Sequence, residues 1–235
     1  MERAITMNRN WSNQEIVRVS EWRHQYWIAA NYVRHIDAQH HALDRELENI
    51  ETAFKHDQTT TVAKLEISGN VLVLKRYNAR NQWHKFKRAF RGSRARRCWS
   101  MSYHFQRAGL NVSEPILMYE KRFGPVRSHA YFANRLLMGE ELITALPRMA
   151  DSEQQKVQAA VRASFSTMRT HKLSHGDMKA SNLLWVDGEL YFIDLDAARK
   201  HRSLWSWYTS HAKDKKRFLK NWQSQPNLLA LFEEI

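Results

Sequence analysis

The spacing of apolar residues changes several times along the chain, and each change marks an element. Over residues 13–54, Trp22, Tyr26, Ile28, Ala29, Tyr32, Val33 and Ile36 recur at a loose helical period, which predicts a mostly helical opening. The register changes at Thr59. Residues 60–67 are rich in β-branched side chains, Ser68-Gly69-Asn70 supplies a turn, and residues 71–77 follow as an almost wholly apolar strand, so a β-hairpin is predicted. Residues 83–108 read as a strongly basic helix with Gly92 as a candidate break. Residues 115–121 and 130–137 read as two strands around the turn Phe123-Gly124-Pro125. Asp151 then opens a long helix, with Gln154 placed for a capping box, and Val157, Val161, Phe165 and Met168 continue it at helical spacing.

The order is hairpin, helix, hairpin, short connection, long helix. It describes an α+β chain with a small β-rich N-lobe and a mainly helical C-lobe, joined by a hinge near Met138-Gly139-Glu140. The expected organisation is a helical extension over 1–58, an N-lobe over 59–137 and a C-lobe over 138–235, together forming one domain.

Composition narrows the setting. No run of about 18 apolar residues predicts a spanning helix, and residues 1–13 lack the apolar core of a signal peptide. The single cysteine, Cys98, excludes an internal disulfide framework and a cysteine-ligated zinc site, so a reducing cytoplasm is expected. The 37 Lys+Arg against 24 Asp+Glu leave a formal charge of +13, which favours anionic partners: phosphorylated substrates, nucleic acid or an acidic membrane. Much of that charge falls in two places. Arg76, Arg80, Lys85, Lys87, Arg88, Arg91, Arg94, Arg96 and Arg97 interleave with Trp83, Phe86 and Phe90. In the tail, Lys213, Lys215, Lys216, Arg217 and Lys220 surround a helical face of Trp205, Tyr208, Ala212, Leu219 and Trp222. That tail face is expected to pack on the C-lobe; contact with a membrane interface is the alternative.

The chemistry concentrates in residues 175–196. His175-Gly176-Asp177-Met178-Lys179-Ala180-Ser181-Asn182 precedes an apolar hairpin turned by Asp187-Gly188, and the second strand ends in Ile193-Asp194-Leu195-Asp196. Phosphoryl transfer from a triphosphate needs metal ions to neutralise charge and a carboxylate to orient the attacking hydroxyl. Asp177 suits the base or hydroxyl-orienting role. Asn182 can offer an amide oxygen and Asp194 a carboxylate to one Mg²⁺, which prefers hard oxygen ligands. Lys179 can reach the transferred phosphate and offset its charge. Asp196 supports either a second metal or the loop.

HGDMKASNLL followed by FIDLD resembles the protein-kinase-like superfamily. Together with VLVLKRYN and a Trp- and Arg-rich helix, it looks most like the lipopolysaccharide core kinases, which phosphorylate heptose or Kdo sugars. The resemblance spans roughly residues 59–222 and implies a two-lobed kinase fold using ATP and Mg²⁺. By similarity, Lys75 holds the α- and β-phosphates and Met138 packs near adenine. The implied partner is lipopolysaccharide core or another anionic glycan, with possible peripheral contact to an anionic membrane. The implied location is cytoplasmic, at the inner face of the bacterial inner membrane. Nucleic acid is disfavoured as a partner, and oligomeric state is not legible. A protein or small-molecule kinase of the same superfamily, or an inactive scaffold, are the competing readings.

Two departures stand out. Residues 51–61 contain no glycine-rich loop, and residues 76–113 contain no Asp or Glu to pair with Lys75 from the following helix. Lys75 is left to find Glu66 or Glu120, or to act unaided.

Overall fold

In a computed structural model of the chain, the described residues are 6–9, 15–34, 53–56, 60–67, 69–77, 92–123 and 126–235. They divide into two compact units, Met1–Trp99 with Glu114–Leu136, and Ser100–Ser113 with Leu137–Ile235.

The first unit is built on an eight-stranded antiparallel sheet. In chain order its strands are β1 (Thr6–Arg9), β2 (Glu15–Ser20), β3 (His24–Ala29), β4 (Ala53–His56), β5 (Thr60–Ile67), β6 (Asn70–Tyr77), β8 (Pro115–Phe123) and β9 (Val126–Arg135). A short strand, β7 (Asn111–Val112), belongs to the second unit. Across the large sheet the order is β1-β2-β3-β8-β9-β6-β5-β4. Both expected hairpins form, β5 with β6 and β8 with β9. One face is apolar: Val17, Val19, Tyr26, Ile28, Ala63, Leu65, Leu72, Leu74, Leu117 and Tyr131 are buried together.

The helical reading of residues 13–54 fails over 15–20, 24–29 and 53–56, which are strand, and holds only in the short helical turn from Ala30 to Arg34. Glu15–Ser20 and His24–Ala29 are strands, with Val19 buried between exposed Arg18 and Ser20. Val, Ile, Tyr and Trp suit a half-buried pleated surface, and β8 offers β3 an edge from Ile28 to His24. The loose helical period enlisted Trp22, which instead lies between the strands and is 62% exposed. Residues 35–52 lie outside the described part.

Helix α1 (Arg94–Arg107) comes between β6 and β7 in the chain; the expected helical residues 83–91 lie outside the described part. Its first turns meet the less apolar face of the sheet. Trp99 packs edge-on against Trp27 at 6.2 Å between ring centroids, Arg96 lies over Trp27, and Cys98 Sγ is 3.1 Å from the Tyr77 hydroxyl.

The second unit holds β10 (Glu140–Glu141), α2 (Leu142–Ala145), α3 (Asp151–His171), β11 (Leu173–Ser174), β12 (Leu183–Val186), β13 (Glu189–Phe192), β14 (Arg199–Lys200), α4 (Leu204–Lys220) and α5 (Pro226–Ala230). Val157, Val161, Phe165 and Met168 of α3 are buried with Met178, Leu183, Phe192, Phe218 and Trp222 in one core. The predicted capping box is absent. Ala150 is the N-cap, Asp151 sits inside the first turn, and the Gln154 amide donates to the Leu146 and Met149 carbonyls at 3.3 and 3.2 Å. Asp151 and Glu153 still complement the helix dipole there. Lys172 closes the helix in a left-handed conformation and delivers the chain into β11.

The tail face is corrected in part: Trp222 is buried in the core and Leu219 packs against it, as expected. Trp205 and Tyr208 do not pack on the unit; they are 79% and 70% exposed. The buried residues of α4 are Trp207, Asp214 and Phe218. The roll of the helix follows polar anchors described below, which an apolar tally does not weigh.

Candidate active site

β11 ends at Ser174, and His175-Gly176-Asp177 turns out of it. His175 is fully buried, with its ring against Phe105 and Phe192. Its Nε2 lies 3.0 Å from the Ile193 carbonyl, and the Asp177 N–H points at Nδ1 from 3.3 Å. A carbonyl only accepts and an N–H only donates, so the ring is neutral with its proton on Nε2. Burial lowers its pKa, consistent with that state. His175 therefore ties the loop before Asp177 to the strand end before Asp194.

Gly176 has φ +80, and a Cβ there would stand 2.4 Å from the Ala197 carbonyl oxygen. No other residue satisfies both the left-handed backbone and that approach. Asp194 is itself left-handed, at φ 59, and begins the tight turn over Leu195–Ala197. The Ile193 N–H donates to the Asn182 carbonyl at 3.0 Å, joining the two loops a second time.

Asp177, Lys179 and Asn182 are in direct contact. Lys179 Nζ is 3.2 Å from Asp177 Oδ2. The Asn182 amide donates to the Asp177 carbonyl at 2.8 Å and to Oδ2 at 3.1 Å. Two such acceptors can be served only by the NH₂ group, which directs Oδ1 of Asn182 elsewhere. Asp194 joins this group through Ile193 and His175, whose ring feels both Asp194 and Asp177.

Two further predicted residues are Met138 and Lys75. Met138 precedes β10 in the second unit and is 82% exposed. Gly139 beside it fits closely, since a Cβ there would meet Val186 Cγ2 at 2.4 Å and the Trp185 carbonyl at 2.9 Å. Lys75 belongs to the first unit, on β6 opposite Val62 and Phe132, with its ammonium 5.8 Å from the Tyr77 ring centroid. The register Lys75–Phe132–Met118 places Glu120 on the same sheet face as Lys75. Glu120 is fully buried. It accepts from Arg122 and, at 3.4 Å, from the Ser93 backbone N–H just before α1. A buried carboxylate thus reaches the start of this helix from the sheet, although the helix carries none. Glu66, by contrast, is exposed on β5.

Helix α4 supplies partners that sequence reasoning missed. Asp214, buried, accepts the His175 N–H at 2.7 Å and the Gly176 N–H at 2.9 and 3.1 Å. Arg217 donates to the Gly176 carbonyl and lies 3.1 Å from Asp177 Oδ1. Trp207 donates from its indole to the Leu173 carbonyl at 3.0 Å. His201 bridges the hydroxyls of Ser174 and Ser206 at 2.8 and 2.9 Å. A lone Asp in a run of lysines was the available signal: a carboxylate at an otherwise inward helical position needs buried donors.

Asp177 is therefore a carboxylate held in place by Arg217 on one oxygen and by Lys179 and Asn182 on the other. Among the described residues no group of three His, Cys, Asp or Glu could hold a metal ion. The mixed amide and carboxylate set of Asn182 and Asp194 still offers hard oxygens of the kind Mg²⁺ takes, usually alongside substrate phosphates.

Residues 55–225 match the family described as "Lipopolysaccharide kinase (Kdo/WaaP) family". The chain belongs to that family. Its fold is similar to a solved structure, "WaaP in complex with acyl carrier protein", with a TM-score of 0.61 at 16% identity, covering 88% of this chain and 96% of that one. No curated sequence matches it. The expected kinase-like α+β fold is borne out by that likeness. As a member of a lipopolysaccharide kinase family, the chain carries the Asp177–Asn182 loop and Asp194 turn within the matched span.

Proposed function

We propose that this protein transfers the γ-phosphoryl group of ATP to a sugar hydroxyl, heptose or Kdo, of the lipopolysaccharide inner core. The observation that carries the reading is the fixed Asp177 carboxylate, set by Arg217, Lys179 and Asn182 on a doubly tied loop that follows the buried His175. Asp177 orients the acceptor hydroxyl and takes up its proton as the bond to phosphorus forms. Lys179, already beside Asp177, offsets the charge of the transferred group. Asn182 Oδ1 and the Asp194 carboxylate would hold Mg²⁺, which neutralises triphosphate oxygens when bound. Lys75 holds the nucleotide phosphates and Met138 packs against the adenine. The reaction takes place at the cytoplasmic face of the inner membrane, where the substrate presents anionic sugars to a chain of formal charge +13.

The decisive experiment combines ATP-dependent labelling of isolated core oligosaccharide with mass spectrometry of lipopolysaccharide from cells carrying the protein or its Asp177→Ala variant. The expected result is one phosphate lost in the variant. Labelling of protein or small-molecule acceptors alone would overturn the sugar reading. No thermal stabilisation by ATP-Mg²⁺, with function intact in Asp177→Ala, would favour a scaffold instead.

A further inference from the structure

Helix α4 has three distinct faces. One is buried, with Trp207, Asp214 and Phe218 directed into the unit. A second, exposed face carries Leu204, Trp205 and Tyr208, and Leu204 is 65% exposed. At about 100° per residue these three lie within about a quarter of the helix circumference, with Ala212 between them. Beside them, on the same exposed side, run Lys213, Lys216 and Lys220, with Arg217 at the edge nearest Asp177. Arg199, Lys200 and Arg202 are exposed just before the helix. The only carboxylate in α4 is Asp214, and it is buried.

Large side chains at such exposure carry a solvation cost that intramolecular packing does not relieve, and they adjoin each other rather than being scattered. Aromatic rings beside a row of lysines are the composition of a helix lying in the headgroup region of an anionic bilayer. Among the described residues no helix is long and apolar enough to cross a membrane, so contact would be from one side.

We infer that the outer face of α4 docks the protein on an anionic lipid surface. Leu204, Trp205 and Tyr208 enter the headgroup layer, while Lys213, Lys216 and Lys220 meet lipid phosphates. The same lysine row leads to Arg217, and hence to Asp177. Docking therefore brings the acceptor-orienting carboxylate to a substrate held in that surface. This consequence rests on the kinase reading; the docking itself does not.

The test is co-sedimentation of the full chain with vesicles of phosphatidylcholine, alone or mixed with phosphatidylglycerol. The wild type should bind only the mixed vesicles. Trp205→Ser/Tyr208→Ser should weaken binding by at least about tenfold. Lys213→Gln/Lys216→Gln/Lys220→Gln should weaken it by roughly 100-fold and flatten its salt dependence. Unchanged melting temperatures would show that folding is intact. Equal binding to neutral vesicles, no binding by the wild type, or full binding by the aromatic variant would overturn the inference. So would loss, in these variants, of affinity for RNA or an acidic protein without any vesicle binding. Phosphorylation of delipidated core oligosaccharide separates the two readings. The aromatic variant should retain it, and its absence in a wild type that binds vesicles would defeat the kinase reading alone.

Discussion

The buried carboxylate of Asp214 accepts a 2.7 Å hydrogen bond from the backbone N–H of His175, and it accepts from the next N–H, that of Gly176, as well. A side chain from the last long helix thus fixes the backbone that presents Asp177. In Asp214→Asn one oxygen becomes an NH₂ group facing backbone donors. A loss of about 1–3 kcal/mol is expected, because buried donors are left unsatisfied. Urea denaturation should show a lower midpoint at unchanged slope, together with a large fall in phosphate transfer.

Arg217 is half-exposed and touches Asp177 Oδ1 at 3.1 Å. An exposed ion pair of this kind contributes at most about 1 kcal/mol to stability. Its larger effect is on the direction of the carboxylate. Arg217→Ala should lower kcat by about tenfold or more, with KM for ATP little changed and melting temperature nearly constant. Arg217→Lys should restore only part of the loss, since a single guanidinium nitrogen aims its two in-plane N–H bonds at the Gly176 carbonyl and Asp177, and a tetrahedral ammonium on a flexible stem does not hold those directions.

Two glycines with similar backbone angles should respond differently to alanine. Gly188, at φ +83, has open space around its missing Cβ, so Gly188→Ala should cost about 1–2 kcal/mol from backbone strain alone. Gly176, at φ +80, would drive a Cβ to 2.4 Å from the Ala197 carbonyl. Gly176→Ala should be clearly the worse of the two in thermal denaturation and should abolish activity.

Four histidines, His104, His175, His201 and His211, have pKa values lowered from 6.5, in each case chiefly by burial. Near that pH the unfolded chain binds more protons than the folded one, so stability rises with pH there. The contribution is present above about 6.5 and is lost as pH falls through and below it. Denaturation midpoints measured at about pH 7.5 and about pH 5.5 should show the lower stability at the acid end. A flat profile would mean these rings protonate without penalty.

Glu120→Gln tests the acidic group that shares a sheet face with Lys75. Leaving Arg122 without its buried partner should cost about 3 kcal/mol or more. If Glu120 also orients Lys75, the nucleotide-induced rise in melting temperature should shrink in Glu120→Gln, whereas Glu66→Gln should leave it unchanged.

Residues 175–196 stand out in the sequence as candidates because phosphoryl transfer demands particular groups at short spacing, and local chain geometry is enough to bring Asp177, Lys179 and Asn182 into contact. The strands 60–67 and 71–77 and the core face of α3 were legible for a related reason: their periods follow from which side of a regular element is buried. The opening residues differ from the helical reading because a loose helical spacing outweighed the strand preference of Tyr26, Trp27 and Ile28; the edge offered by β8, some ninety residues away, makes them a strand. The roll of α4 was likewise a tertiary decision. A tally of apolar positions buried Trp205 and Tyr208. The actual orientation comes from Trp207, which meets a backbone carbonyl of β11, and from Asp214 and Arg217, which meet backbone groups of the Asp177 loop. The sequence alone thus determined which residues are candidates for the chemistry. What holds them still, and which face of the last long helix is left for the outside, was decided by hydrogen bonds between residues some forty positions apart, a distance over which no local period carries information.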